Sequence, residues 1–285
     1  NYEDIFNVHA IIMNELSTLL GVMATDRVAS SPKHCDDKDQ VHHFILQRLP
    51  QSGQPLAAAA AHHFEKPGKM LRANMVMRGA YLLNVDRNAA IRWAAAIELL
   101  HNASLVHDDI CDGDKLRRGQ QAVWAKFGRH VALTLGDWLI ALSFELASEA
   151  AQIAKTPKLV TLLARHMATT TAGEAMEFES DRSYDWDRYL QIAADKTAPL
   201  LTAPLQGVAI MALDARAEIV VASYFRYLGK AYQIANDIMN FDGKDGAKSI
   251  GSDLARRAPN AVTLCFRDCL SAPEQTEFDG WYEAG

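Results

Sequence analysis

The stretch WAAAIELLHNASLVHDDICDGDKLRRG, Trp93–Gly119, decides the fold and poses the chemical question. Its first half is apolar nearly all round, the mark of a buried helix rather than a surface one. Within it His101, Ser104, Asp108 and Asp112 are spaced 3, 4 and 4 apart, so they share one face at 3.6 residues per turn. A polar stripe carrying two carboxylates on a buried helix needs counter-charge, because burying an uncompensated charge is costly. A solvated helix end would explain the acids blandly. A site for Mg²⁺ and phosphate explains them together with Arg117 and Arg118, since Mg²⁺ takes oxygen ligands and arginine grips phosphate in a planar fork.

Working outward, apolar residues recur at helical spacing along the chain. The spacing predicts helices over 5–23, 42–49, 71–83, 89–106, 131–151, 158–179, 186–194, 200–213, 217–240 and 261–270. Pro50, Pro67-Gly68, Gly119, Pro157, Pro199, Gly243 and Pro259 punctuate them. The run 29–40 reads as a surface loop, and Ala57–Ala61 as helix. Alternating β-branched runs are scarce. The expected fold is all-α, ten or more helices, and no linker divides residues 1–285 into more than one domain.

The 285 residues are 49% hydrophobic and 22% charged, ordinary for a globular core. A net charge of -6 argues against a nucleic-acid partner. No uninterrupted apolar run reaches the ~18 residues of a membrane span. The four cysteines, Cys35, Cys111, Cys265 and Cys269, form no CxxC pair, as expected of reduced thiols in a cytoplasmic protein.

Three further clusters carry chemistry. Lys69 and Arg72, in PGKMLRA, lie three apart after a Pro-Gly break and suit an anion at a helix start. Gln233, Asn236, Asp237 and Asn240, in YQIANDIMN, set amides and an acid along an apolar helix, with Lys248 and Asp253 following in AKSIGSDL. Lys196-Thr197 offers a cation and a hydroxyl. Glu98 and His101 form a single ExxH, whereas a di-iron carboxylate bundle needs two.

These segments resemble the trans-isoprenyl diphosphate synthases, or polyprenyl synthetases, over nearly the whole chain. PGKMLR is similar to that family's GKxxR, ELLHNASLVHDDICD to its first aspartate-rich motif and LRRG to the segment after it. GDWLIA resembles its GDxLL, GEAMEFE its GQxxD region, DKTAPL its KT motif, YQIANDIMN its second aspartate-rich motif and AKSIGSDL its GKxxGxDL. The resemblance implies an isoprenoid synthase-type bundle around a deep apolar cavity, a homodimer, and up to three Mg²⁺ ions bound with diphosphate. It implies metal binding at Asp108, Asp112, Asn236 and Asp237. An allylic prenyl diphosphate falls to Arg117, Lys196, Thr197, Gln233, Asn240 and Lys248, and isopentenyl diphosphate to Lys69, Arg72, His101 and Arg118. Asp108, Asp112, Arg117 and Lys196 are the implied catalytic set.

The chain departs from the family pattern at Asn236, where the first acid of DDxxD is expected, and at Ala258, often a lysine, beside Arg256 and Arg257. Asn236-Asp237 is shared with the opening of the class I terpene cyclase motif NDxxSxxxE, but Asn240 and Lys244 replace its Ser and Glu. A non-catalytic regulatory subunit is the third reading. Small residues at Ala103 and Ser104, one turn before the first motif, leave the cavity open there and lean towards a product of C20 or longer.

Overall fold

The computed structural model describes residues 36–177, 185–242 and 250–283. The bundle described below belongs to the compact unit of residues 38–285. Among the described residues twelve helices follow in order: α1 Asp36–Arg48, α2 Ala57–Phe64, α3 Leu71–Leu82, α4 Arg87–Cys111, α5 Val123–Phe127, α6 Arg129–Ile153, α7 Lys158–Glu177, α8 Trp186–Met211, α9 Ala215–Asp242, α10 Ser252–Arg256, α11 Ala261–Asp268 and α12 Ala272–Glu283. Between α4 and α5 lies an antiparallel hairpin of two-residue strands, β1 Leu116–Arg117 and β2 Gln120–Gln121. The expected helix over 5–23 lies outside the described residues.

The apolar first half of α4 is the centre of the core. Trp93, Ile97, Leu99 and Val106 are almost wholly buried, and α6 packs along α4 with Leu135, Leu139 and Leu146. The two helices approach closely at Gly136, where a Cβ would sit 2.0 Å from the His107 ring. By length and composition α6 would suffice to cross a membrane, yet its apolar stripe is spent on this helix contact. On the other side α8 packs against both α7 and α9, and α3 lies against α4 and α8. Asp86 caps α4 by accepting from the Ala89 N–H, and Asp185 caps α8 through the Arg188 N–H.

Two expectations are corrected. Pro199 does not end a helix: α8 runs from Trp186 through Pro199 and Pro204 to Met211. An interior proline costs about 3 kcal/mol, which the burial of every residue from Ala198 to Pro204 offsets. Residues 36–40 are helical rather than loop, because the acids of DDKD sit at the positive end of the α1 dipole. The short α5 and α10 span too few turns to show a period.

Candidate active site

A cavity of about 730 Å³ opens where α4, α7, α8 and α9 meet. Into it the structure brings Arg72, His101, Ala103, Ser104, Asp108, Asp112, Arg117, Lys196, Thr197, Gln233, Asn236, Asp237 and Asn240. Lys69, exposed, and Arg118, half-buried, are not on its lining. Lys248 lies outside the described residues. Leu100, Ala103, Ile140 and Met167 give the cavity an apolar floor, Ile192 and Leu200 add to its apolar lining, and the charged groups stand beside them.

The acids of the first motif divide their work. Asp108 and Asp112 face the cavity. Asp109 faces inward, 1% exposed, and accepts from Arg117 Nε at 2.8 Å. Burial, then the neighbouring Glu174 carboxylate, pushes the Asp108 carboxyl up to about 7, with Lys196 opposing. Burial also works against the Arg117 charge, and the Asp109 bond outweighs it, so that guanidinium is held more firmly protonated.

Across from α4, Lys196 forms ion pairs with Glu174 at 2.8 Å and with Glu177. Burial opposes its charge, but the two glutamates raise its pKa well above the usual value. The contact depends on Gly173, whose Cβ would stand 2.5 Å from the Lys196 backbone nitrogen. Only glycine lets α7 and α8 meet this closely. Sequence reasoning gave Glu174 and Glu177 no role, although GEAMEFE carries the signal: two acids at i and i+3 behind a glycine, opposite a lysine bound to be buried.

Arg117 and Arg118 go to opposite sides. The hairpin pairs Arg117 with Gln120, leaving Arg118-Gly119 as a two-residue turn with φ of 54° and 71°. Positive φ at both positions is the type I′ geometry, which twists with the strands. Arg118 then reaches back to the loop after α2 and to α4, its Nη1 donating to the Lys66 carbonyl at 3.0 Å and its Nη2 to Asn102 Oδ1 at 3.3 Å.

Arg72 and His101 form the second polar wall. Arg72 Nε donates to the Leu200 carbonyl at 2.9 Å. Glu98, 4% exposed, accepts from the Ala73 N–H at 2.9 Å and so caps α3, whose own start at Met70 supplies no side-chain cap. Its ExxH spacing therefore serves a helix end rather than a metal. Burial, then the positive charges of Arg72 and Arg118, holds the His101 pKa well below its usual value, so this wall presents a neutral imidazole beside a cation.

The α9 motif lines the cavity and is tied to its neighbours. Asp237 is 1% exposed and already accepts three hydrogen bonds: from Tyr189 Oη at 2.6 Å, the Ala261 N–H at 2.8 Å and Gln233 Nε2 at 2.9 Å. These bonds make it a strut joining α8, α9 and α11. Burial pushes its carboxyl up to about 7, against those three bonds. Gln233 in turn accepts from Thr197 Oγ1 at 3.0 Å. Asn240 is buried and anchors the next segment, its carbonyl accepting from the Gly251 N–H at 3.0 Å. Asn236 stays on the cavity wall. Arg257, next to Ala258, stacks over Trp281 at 4.9 Å instead of entering the cavity.

The donors fit Mg²⁺. No three His, Cys, Asp or Glu side chains among the described residues converge into a ready-made cage. Mg²⁺ seldom uses one; it takes one or two carboxylates and completes its shell with water and substrate phosphate. Asp108 and Asp112 supply hard oxygens, and Glu174 Oε1 is buried with no hydrogen-bond partner. Cys111, Cys265 and Cys269 are free thiols.

Comparison with known proteins agrees with this geometry. Residues 54–283 match the polyprenyl synthetase family. A geranylgeranyl diphosphate synthase of Saccharolobus solfataricus is 35% identical over 227 residues, 76% of this chain and 68% of that protein. A heptaprenyl diphosphate synthase component 2 of Geobacillus stearothermophilus is 34% identical over 225 residues, 77% and 69% of the two chains. The crystal structure of a polyprenyl synthase from Caulobacter crescentus, complexed with calcium and isoprenyl diphosphate, superposes with a TM-score of 0.76 at 30% identity, covering 85% of this chain and 74% of that one. The matched segment spans most of the described bundle and carries both aspartate-rich segments, so the chain belongs to the polyprenyl synthetase family of trans-prenyltransferases.

Proposed function

We propose that this prenyltransferase condenses isopentenyl diphosphate with an allylic prenyl diphosphate, releasing diphosphate and giving a trans-prenyl diphosphate of C20 or longer. The observation that carries the reading is two polar walls in one cavity: acids with Arg117 and Lys196 on one, Arg72 with neutral His101 on the other. A cyclase needs only the first. Asp108 and Asp112, with Asn236 and Asp237 on the same cavity lining, would hold Mg²⁺, which would supply positive charge to stabilise the leaving diphosphate. Arg117, Lys196, Thr197, Gln233, Asn240 and Lys248 hold that diphosphate, and fixed cations add to its stabilisation. The family resemblance gives isopentenyl diphosphate to Lys69, Arg72, His101 and Arg118, of which Arg72 and His101 line the cavity. The C=C of isopentenyl diphosphate attacks the allylic carbon to form the new C–C bond, and the departing diphosphate takes the proton. The apolar floor keeps the cation from water.

The chain works as a single domain in a cytoplasmic homodimer; the free thiols of Cys111, Cys265 and Cys269 support the compartment, and the family resemblance the dimer. The Caulobacter relative, complexed with calcium and isoprenyl diphosphate, supports the ion and substrate class. A second reading, a class I terpene cyclase, draws on Asn236 and the engaged Asp237. One assay separates them. The purified chain is incubated with Mg²⁺ and farnesyl diphosphate, with and without isopentenyl diphosphate, and products are identified by mass. Longer prenyl diphosphates formed only with isopentenyl diphosphate support the proposal. A hydrocarbon or alcohol formed without it makes the chain a cyclase. No product turns the search towards another allylic substrate or a partner subunit; one relative is named as component 2 of its synthase.

A further inference from the structure

Behind the second wall lies a buried pair that the reaction does not use. His63 on α2 and Asn102 on α4 are each 4% exposed. Asn102 Nδ2 donates to the Glu98 carbonyl at 2.7 Å, which fixes the amide so that Oδ1 points the other way. That oxygen accepts from His63 Nε2 at 3.0 Å and from Arg118 Nη2 at 3.3 Å. An amide oxygen has only lone pairs, so His63 must carry its proton on Nε2. Burial, then the positive charge of Arg118, lowers the His63 pKa to about 4, so the ring is a neutral donor at pH 7.

Arg118 itself sits in a left-handed conformation, φ 54°, at a turn position that favours Gly or Asn. Something outside the turn must hold it there. Its guanidinium is clasped by the Lys66 carbonyl and the Asn102 oxygen, and lies against Gly68, whose Cβ would stand 2.8 Å from Nη2. Lys66 and Gly68 belong to the same loop as Lys69. The clasp therefore ties the hairpin cation to the loop before α3, through one amide oriented by one imidazole.

We infer that His63 and Asn102 are positioning residues that aim Arg118 at isopentenyl diphosphate. The inference rests on the reading of Arg118 given under the proposed function. His63 and the Glu98 carbonyl orient the amide, the amide and the Lys66 carbonyl orient the guanidinium, and its remaining N–H groups are left for the anion. Neither His63 nor Asn102 touches substrate.

Steady-state kinetics on the purified enzyme, with Mg²⁺, farnesyl diphosphate and isopentenyl diphosphate, test this. Asn102→Ala should raise KM for isopentenyl diphosphate about tenfold, the effect of losing one hydrogen bond to a charged group. KM for farnesyl diphosphate should stay put. His63→Phe should behave alike, and His63→Gln, which keeps an N–H aimed at the amide, should regain most of the loss. Asn102→Ala combined with Arg118→Ala should be no worse than Arg118→Ala alone, since the relay acts through that guanidinium. If Arg118→Ala raises the isopentenyl KM while Asn102→Ala does not, the relay is overturned and the Arg118 reading survives. An unchanged KM in Arg118→Ala overturns that reading instead. Equal rises for both substrates, or additive losses in the double variant, mean a merely structural pair. Where turnover is too low, or Asn102→Ala does not fold, calorimetric titration of His63→Phe and His63→Gln with isopentenyl diphosphate alone makes the same comparison: weaker binding only in Phe supports the relay, and equal binding overturns it.

Discussion

Arg72 donates its Nε–H to the carbonyl of Leu200, and that carbonyl lacks its helical donor because the residue four positions on is Pro204. A proline inside a helix removes one N–H and orphans one acceptor. Here the orphan lies beside the cavity and takes a buried cation. The helix irregularity and the position of Arg72 are one feature.

Pro204→Ala supplies the missing N–H and closes the α-helical bond to Leu200. Arg72 then loses its anchor. KM for isopentenyl diphosphate should rise several-fold, on the order of one charged hydrogen bond, while kcat at saturation changes less. Steady-state kinetics in both substrates checks this.

Gly173→Ala places a methyl 2.5 Å from the Lys196 backbone nitrogen and 2.7 Å from the Asp195 carbonyl carbon. Backbone cannot yield as a side-chain end can, so α7 and α8 must part. The expected cost is about 1–3 kcal/mol, as for other overpacked contacts. Turnover should fall further than stability explains, because Glu174 and Glu177 leave Lys196. Urea unfolding and kcat measured on the same preparation separate the two losses.

His63 makes stability depend on acid. Its folded pKa, about 4, lies below the ordinary histidine value of 6.5. Between these values the unfolded chain binds the proton and the folded chain does not, so stability present above pH 6.5 is lost as pH falls towards 4. From pH 7 to pH 5 the loss is about 2 kcal/mol. Asp108 and Asp237, raised to about 7, act in the opposite sense over the same range. Comparing urea midpoints of the native chain and His63→Gln at both pH values cancels them. The variant should lose less stability at pH 5.

Asp108→Ala should abolish turnover, and Asn236→Asp should tighten Mg²⁺. In the second variant the cavity wall opposite Asp108 gains a carboxylate where it now carries an amide. Mn²⁺ binding followed by electron paramagnetic resonance, in the presence of diphosphate, reports the affinity without relying on catalysis.

Ala103 is fully buried and contributes to the apolar floor. Ala103→Phe fills that space and should shorten the product by at least one five-carbon unit. Mass analysis of the prenyl diphosphates checks it; Leu100, Ile140 and Met167 set the stop if the length is unchanged.

The parts of this fold that repeat a short rule were legible in the sequence. The polar stripe His101, Ser104, Asp108 and Asp112 obeys helical spacing, and it is the face that α4 turns to the cavity. Interactions between distant segments were not legible. The reading of Pro199 as a break weighed the local cost of proline without the burial of α8 that offsets it. The strut at Asp237 was not legible because its partners, Tyr189 and the Ala261 N–H, lie 48 and 24 residues away. The Glu174 and Glu177 pairing needed the α7–α8 contact, which a glycine announces only once its neighbour is known.

The Arg118-Gly119 turn carries one more consequence. A single two-residue bend sends Arg117 to Asp109 and Arg118 to Asn102. The hairpin is thus a ruler of fixed length: any rocking of it carries both positive heads together and preserves the gap between them. A one-residue insertion in the bend would change that gap and the direction of one head at once, so this loop, unlike most surface loops, has no freedom to grow.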